Sequence, residues 1–165
     1  HWVDVENGKI FIPSRKFMSL PSDLNSNLAN SELKNCNNKK SAFDTILILD
    51  YLHLKYNMHI ITNGFKEVQR RKLEKSDLLK YFRTITISED VGVKKPDEII
   101  FKHALQKSNS LIENSIMIGD NYHADILGAN NIGMKSIYFN FHKTQEEQKK
   151  DIFVIDDLKE ILQLL

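Results

Sequence analysis

From Ser41 onward, short apolar runs alternate with longer amphipathic stretches. The runs Met58 to Thr62, Thr84 to Ile87, Ser115 to Gly119, Ser136 to Phe139 and Phe153 to Ile155 are rich in β-branched and aromatic residues, which predicts five strands. Between them the apolar spacing predicts helices. The first covers Ile46 to Leu54, with a capping box at Ser41 to Asp44 and a left-handed stop at Asn57. Others span Phe65 to Lys75, Asp97 to Lys107 with Pro96 in the opening turn, and Ala124 to Ile132 with Gly133 as the stop. A turn from Leu78 to Phe82 and a closing helix from Asp157 complete the pattern. Strands separated by helices of about ten residues are βαβ units, so the expected fold class is α/β: a Rossmann-like parallel sheet with helices on both faces.

Before Ser41 the pattern is weaker. Leu20, Leu24 and Leu28 recur every four residues and predict a short helix after Pro21, read as a packing stripe, with a linker from Asn35 to Lys40.

Composition narrows the classes. The 165 residues are 41% hydrophobic and 27% charged, which is ordinary globular usage and excludes a collagen-like or wholly disordered chain. A formal charge of +1 gives no reason to expect a nucleic-acid or membrane-surface partner. No apolar run approaches the roughly 18 residues of a spanning helix. The lone Cys36 cannot form an internal disulfide, so a reducing, cytoplasmic setting is expected.

In parallel sheets of this kind ligands bind beyond the carboxyl ends of the strands, so the residues after each run are the ones to weigh. Thr62, Asn63 and Gly64 follow the first and could present a hydroxyl and amide donors to an anion, although Asn-Gly is also an ordinary turn pair. Lys95 precedes the rigid Pro96 and suits a point-charge phosphate clamp, whereas Lys94 reads as a solvated lysine. Asp120 leaves the strand at Gly119, and Asp125 falls on the first turn of the next helix. The pair could converge on one cation, or Asp125 could simply favour the helix N-terminus. Oxygen-only ligation by few protein groups suits Mg2+.

The order of these stations is more informative than any one of them. Thr62, then Lys95 thirty-three residues on, then Asp120 twenty-five beyond that, together with the strings Ile60 to Phe65, Ile87 to Asp97 and Met117 to Asp120, resembles the haloacid dehalogenase-like hydrolases. The likeness is greatest to their pyrimidine 5′-nucleotidase branch and runs from about Phe43 to Asn140. It implies that Thr62 matches the second motif, Lys95 the third, and Asp120 with Asp125 the acidic fourth. It further implies catalytic roles for Lys95 and Thr62, phosphate binding by Thr62, Asn63, Gly64 and Lys95, and Mg2+ on Asp120 and Asp125. On this resemblance residues 1–41 are a remnant of a helical cap and linker, with Trp2 to Gly8 a piece of that cap, and residues 42–165 are the core.

The family's first motif, Asp-x-Asp-x-Thr, is absent. Asp50 ends an apolar run but lies only eight residues before Met58, too few for a parallel crossover, and Leu52 stands where the second acid belongs. The expectation is therefore a sheet lacking its central first strand, through truncation rather than natural loss, and a chain that is poorly stable or self-associating because both neighbours of the gap expose unpaired backbone. The resemblance implies hydrolysis of a small phosphorylated metabolite, with a nucleoside monophosphate as the family-level candidate, through an aspartyl-phosphate with Mg2+, in a chain inactive as it stands. Lys95→Ala should then lower turnover far more than stability. The alternative is a non-catalytic phosphate- or metal-binding module. A signalling receiver domain fits poorly, since its acidic residues come first in the chain.

Overall fold

The computed structural model describes residues 9–12, 36–75, 77–140, 143 and 152–165. Its strands are β1 (Lys9–Ile12), β2 (Asn57–Thr62), β3 (Phe82–Ile87), β4 (Ser115–Gly119), β5 (Lys135–Phe139) and β6 (Phe153–Ile155). The helices are α1 (Cys36–Lys55), α2 (Lys66–Lys75), α3 (Ser88–Val91), α4 (Glu98–Ser108), α5 (Gly128–Asn131) and α6 (Ile161–Leu164), with a wide π-type turn over Tyr122–Leu127. The strands form one sheet in the order β3-β2-β1-β4-β5-β6, and every pairing is parallel.

Successive side chains of a strand face opposite sides, so an apolar run buried on both faces feeds two cores. Ile60, Ile116 and Ile118 pack with Leu49 and Leu52 of α1 and with Ile161 of α6. Ile61 and Met117, the intervening positions, pack with Ile100, Phe101 and Ala104 of α4 and with Ala129 of α5. The α/β class with helices on both faces is thus what the chain adopts.

The central position, expected from the sequence to be missing, is occupied. β1 lies between β2 and β4, with Lys9 to Ile12 against Asn57 to Ile60 on one side and Lys9 to Phe11 against Ser115 to Met117 on the other. A central parallel strand reads as a short apolar run, and Ile10, Phe11 and Ile12 are three such residues ended by Pro13. They carry no acidic residue, so a search for Asp-x-Asp passes over them. With β2 and β4 both paired to β1, the ground for instability and self-association falls away. Lys9 to Ile12 belonged on sequence grounds to the cap remnant, and here they lie in the sheet. The helix expected around Leu20, Leu24 and Leu28 lies outside the described residues.

Helix boundaries also differ from the sequence reading. α1 begins at Cys36, so Asn37 to Lys40 are helical rather than linker, and Ser41 to Asp44 lie inside the helix rather than capping it. Asn57 opens β2 instead of stopping α1. Polar helical turns carry no apolar period and look like a linker in sequence. α4 starts at Glu98, with the Asp97 carboxylate accepting the Ile99 N–H at 2.9 Å as its cap.

The sheet has two outer edges, β3 and β6. On β3, the Lys107 ammonium donates to the Ile85 carbonyl at 2.8 Å, placing a charge on an edge that could otherwise pair with another strand.

Asp50, set aside above as a nucleophile, has a structural partner: the Tyr81 hydroxyl donates to its Oδ1 at 2.7 Å. Burial, reinforced by that bond to Asp50, pushes the Tyr81 hydroxyl up to about 12. An acid whose folded value lies above its unfolded value of 10.0 contributes stability that is fully present below pH 10 and is lost as pH rises through the folded value. Tyr81→Phe is expected to cost roughly 1 kcal/mol at neutral pH. Urea unfolding of both proteins from pH 8 to 12 checks this, because the gap between them should close as pH passes from 10 to about 12.

Candidate active site

The strand order reverses between β1 and β4, and parallel sheets bind ligands beyond the carboxyl ends of the strands at such a switch point. Thr62 is the last residue of β2 and is buried, and its Oγ1 accepts the Gly64 N–H at 3.1 Å. Gly64 packs closely on the buried Gln69: a Cβ there would lie 1.8 Å from Gln69 Nε2, so a larger residue would push the glutamine side chain aside. The Phe65 carbonyl then accepts the Gln69 N–H at 2.9 Å, which leads the chain into α2.

The second segment follows β3. The turn of α3 ends at Gly92 with a φ of 86°, a left-handed conformation suited to glycine, and the chain returns toward β2 through Val93 to Pro96. Here Asn63 joins the two segments. Its Nδ2 donates to the Lys95 carbonyl at 2.9 Å, and its Oδ1 accepts the Lys95 N–H at 2.8 Å. The Lys95 side chain turns inward with 4% of its surface exposed, whereas Lys94 is exposed. Its ammonium donates to the Ile61 carbonyl at 2.9 Å and lies 2.6 Å from Asp125 Oδ1.

The third segment leaves β4. Asn121 caps the turn that follows, its Oδ1 accepting the Ala124 N–H at 2.8 Å, while its own N–H donates to Asp125 Oδ2 at 3.1 Å. Asp125 is 2% exposed, and a Cβ on Gly119 would lie 2.4 Å from the Asp125 Cβ, so only glycine lets that carboxylate fold against the strand end. Close packing also demands glycine at Gly128, where a Cβ would lie 2.7 Å from the Phe101 ring and 3.1 Å from the Pro96 Cα.

Lys95 therefore touches both Asn63, through its backbone, and Asp125, through its ammonium; Thr62 and Gly64 share the turn that holds Asn63, and half-buried Asp120 directly follows Gly119. The two aspartates are not equivalent. Both oxygens of Asp125 are engaged, one by the Lys95 ammonium and one by the Asn121 N–H. A divalent cation held by this chain thus fits Asp120 as its direct carboxylate, with Asp125 setting the lysine. Among the described residues no three His, Cys, Asp or Glu side chains gather as a metal site. One or two carboxylates with water satisfy Mg2+, so the oxygen-only donor set fits that ion.

Three contributors escaped the sequence reading. Asn121 stands before a helical turn, the usual place for a capping amide. Glu89 accepts the Lys66 N–H at 2.8 Å and so caps α2 from the α3 turn. The Lys66 ammonium lies 2.7 Å from Asp90 in the same exposed link, and that pairing raises the Lys66 pKa. Gln69 carries no local signal, because its role exists only once Gly64 is packed against it.

Residues 14–139 match the profile of the haloacid dehalogenase-like hydrolase family. The chain is 32% identical over 176 residues to pyrimidine 5′-nucleotidase YjjG of Escherichia coli, covering 99% of this chain and 77% of that protein. It is 40% identical over 114 residues to glyceraldehyde 3-phosphate phosphatase of Pyrococcus furiosus, covering 67% of this chain and 48% of the relative. Among solved structures, the HAD phosphatase of Thermococcus onnurineus superposes with a TM-score of 0.69 at 30% identity over 73% of this chain and 56% of that one. The magnesium-bound HAD-hydrolase YfnB of Bacillus subtilis gives 0.67 at 28% identity over 76% of this chain and 53% of that one. The chain thus spans about half the length of the archaeal relative and of both structures. No described helix is long and apolar enough to cross a membrane.

Proposed function

The chain belongs to the haloacid dehalogenase-like hydrolase family, and from that premise we propose that its strand-end cluster is the phosphate- and metal-binding part of a phosphomonoester hydrolase. The observation that carries this is the inward ammonium of Lys95, buried against Asp125 and the Ile61 carbonyl at the carboxyl edge of the sheet. A lysine has three donors. Two are engaged here, which leaves one for a phosphoryl oxygen. The Thr62 hydroxyl and the backbone N–H of Asn63 supply neutral donors on the neighbouring strand end, suited to fixing an oxygen as charge develops, while Gly64 lends its N–H to Thr62 Oγ1 and so orients that hydroxyl. Mg2+ on Asp120, when bound, neutralises phosphoryl oxygens and polarises the phosphorus for attack.

In the whole reaction a carboxylate displaces the ester alcohol to form an aspartyl-phosphate, and water then cleaves that acyl phosphate to release inorganic phosphate. Asp-x-Asp occurs nowhere in the 165 residues, so this chain alone supplies the binding groups without the nucleophile and is inactive. The same absence favours a second reading, a non-catalytic phosphate-binding module. The substrate class is a small phosphorylated metabolite. A nucleoside monophosphate heads the candidates because of the likeness to a pyrimidine 5′-nucleotidase, and a cytoplasmic setting belongs to the same proposal.

The test is titration calorimetry of inorganic phosphate with Mg2+ present, alongside a turnover assay with p-nitrophenyl phosphate. The chain is expected to bind phosphate only with Mg2+, to lose that binding on Asp120→Asn, and to show no steady turnover. Failure of the unmodified chain to bind phosphate would overturn the site, and sustained turnover would overturn the aspartyl route.

A further inference from the structure

Asn63 entered as a donor to phosphate, yet both polar groups of its side chain are committed elsewhere. Its Nδ2 donates to the Lys95 carbonyl and its Oδ1 accepts the Lys95 N–H, so one side chain satisfies the donor and the acceptor of a single peptide residue at 2.9 and 2.8 Å. We infer that Asn63 is a positioning residue, an amide clip that continues the pairing of β2 one residue beyond its end and sets where the Lys95 ammonium points. The inference deepens the proposed phosphate site and rests on that reading for its functional meaning, though the clip itself does not depend on it.

The chemistry required is narrow. Asn and Gln carry an acceptor and a donor side by side on one planar amide, which matches the spacing of a residue's N–H and C=O, and Gln adds a methylene that displaces both; the donor and acceptor of a neutral His are set apart across a ring. Asp keeps an acceptor for the Lys95 N–H but presents a second oxygen to the Lys95 carbonyl, turning an attraction into a repulsion. Ser is too short to reach both groups. The clip also has a fixed base: Gly64 packs against Gln69, and the Gly64 N–H is held by Thr62 Oγ1, so the residue bearing the amide sits on an anchored turn.

The consequence falls on a loop whose two ends are held separately, by Val93 packed against the core on one side and by the Pro96 backbone beside Gly128 on the other. Lys94 and Pro96, which flank Lys95, are exposed, so the buried side chain hangs from a surface segment. Two bonds from Asn63 hold its backbone, and the Ile61 carbonyl and Asp125 receive its end. Without the clip, the Lys95 backbone between those ends loses both of its side-chain hydrogen bonds, and the ammonium is held inside by its own two contacts and the packing of the flanking residues. Any phosphate donor of Asn63 is then its backbone N–H, and its side chain acts through Lys95.

Acylation of the native chain by an N-hydroxysuccinimide ester, read residue by residue by mass spectrometry, tests this without any activity. In the unmodified protein Lys95 is expected to react far more slowly than neighbouring Lys94. Asn63→Ala should raise the Lys95 rate on the order of tenfold, as removal of two hydrogen bonds implies. Near-isosteric Asn63→Asp should raise it at least as much, while Lys94 and the amide-exchange protection of β4 stay unchanged. An unchanged Lys95 rate in both variants, or a rise matched by lost protection throughout β4, would overturn the clip. Phosphate titration on the same variants separates the two proposals. Faster Lys95 labelling in a protein whose parent never binds phosphate sustains the clip and defeats the phosphate site alone.

Discussion

Lys95→Ala is expected to destabilise the fold by about 3–5 kcal/mol, the range for removing one partner of a buried ion pair. Asp125 is 2% exposed, and after the substitution its carboxylate keeps only the Asn121 N–H at 3.1 Å. The Ile61 carbonyl loses its donor as well. A charge that cannot reach water and has no counter-ion is the costly product, more than any attraction forgone. Replacing both partners by apolar residues, Lys95→Met with Asp125→Leu, should recover most of the loss because neither charge then remains buried. Urea unfolding of the parent, the two single variants and the double variant measures the coupling directly, with equal m-values as the check that the denatured states match. Additive losses would mean that the pair is not coupled. This revises the sequence expectation for Lys95→Ala: the lysine is one half of a buried ion pair, so stability falls with the substitution, and on the proposed site phosphate binding should fall with it.

Phe101→Ala is expected to cost about 3–5 kcal/mol, the usual penalty for a large cavity in a packed core. The ring is fully buried among Ile61, Met117 and Ala129 on the α4 face of the sheet. It also fills the space beside Gly128, whose missing Cβ makes room for the ring and for the Pro96 backbone. A void here undermines the Pro96 end of the lysine loop, so faster acylation of Lys95 should accompany the lower stability. Phe101→Leu, with a smaller void, should lose less. Thermal and urea unfolding give the first result and the labelling assay the second. A loss below roughly 1 kcal/mol would show that the site collapses around the smaller side chain.

How much was legible beforehand varies residue by residue. β4 matches its sequence limits, Ser115 to Gly119, because a run buried on both faces with glycine at its end has few other readings. Thr62, Lys95, Asp120 and Asp125 could be proposed because each lies at the carboxyl end of a strand or in the segment that follows one, where a parallel sheet gathers its ligands. β1 was missed because four residues with three apolar ones make too weak a signal to single out, and their central place comes from partners more than forty residues away.

What the amino-acid sequence by itself determined is the alternation of elements, the α/β class and the residue types delivered to the strand ends, since periodicity and turn chemistry are local properties of the chain. The tertiary structure decided the rest: that Lys9 to Ile12 complete the sheet, that Asp125 faces a lysine, that Asn63 grips a backbone thirty-two residues away, and that Gly119 and Gly128 are glycines for lack of room. Those facts depend on distances between segments remote in the chain. Such distances exist only after the sheet has formed, because burial and strand order set them rather than any neighbouring residue.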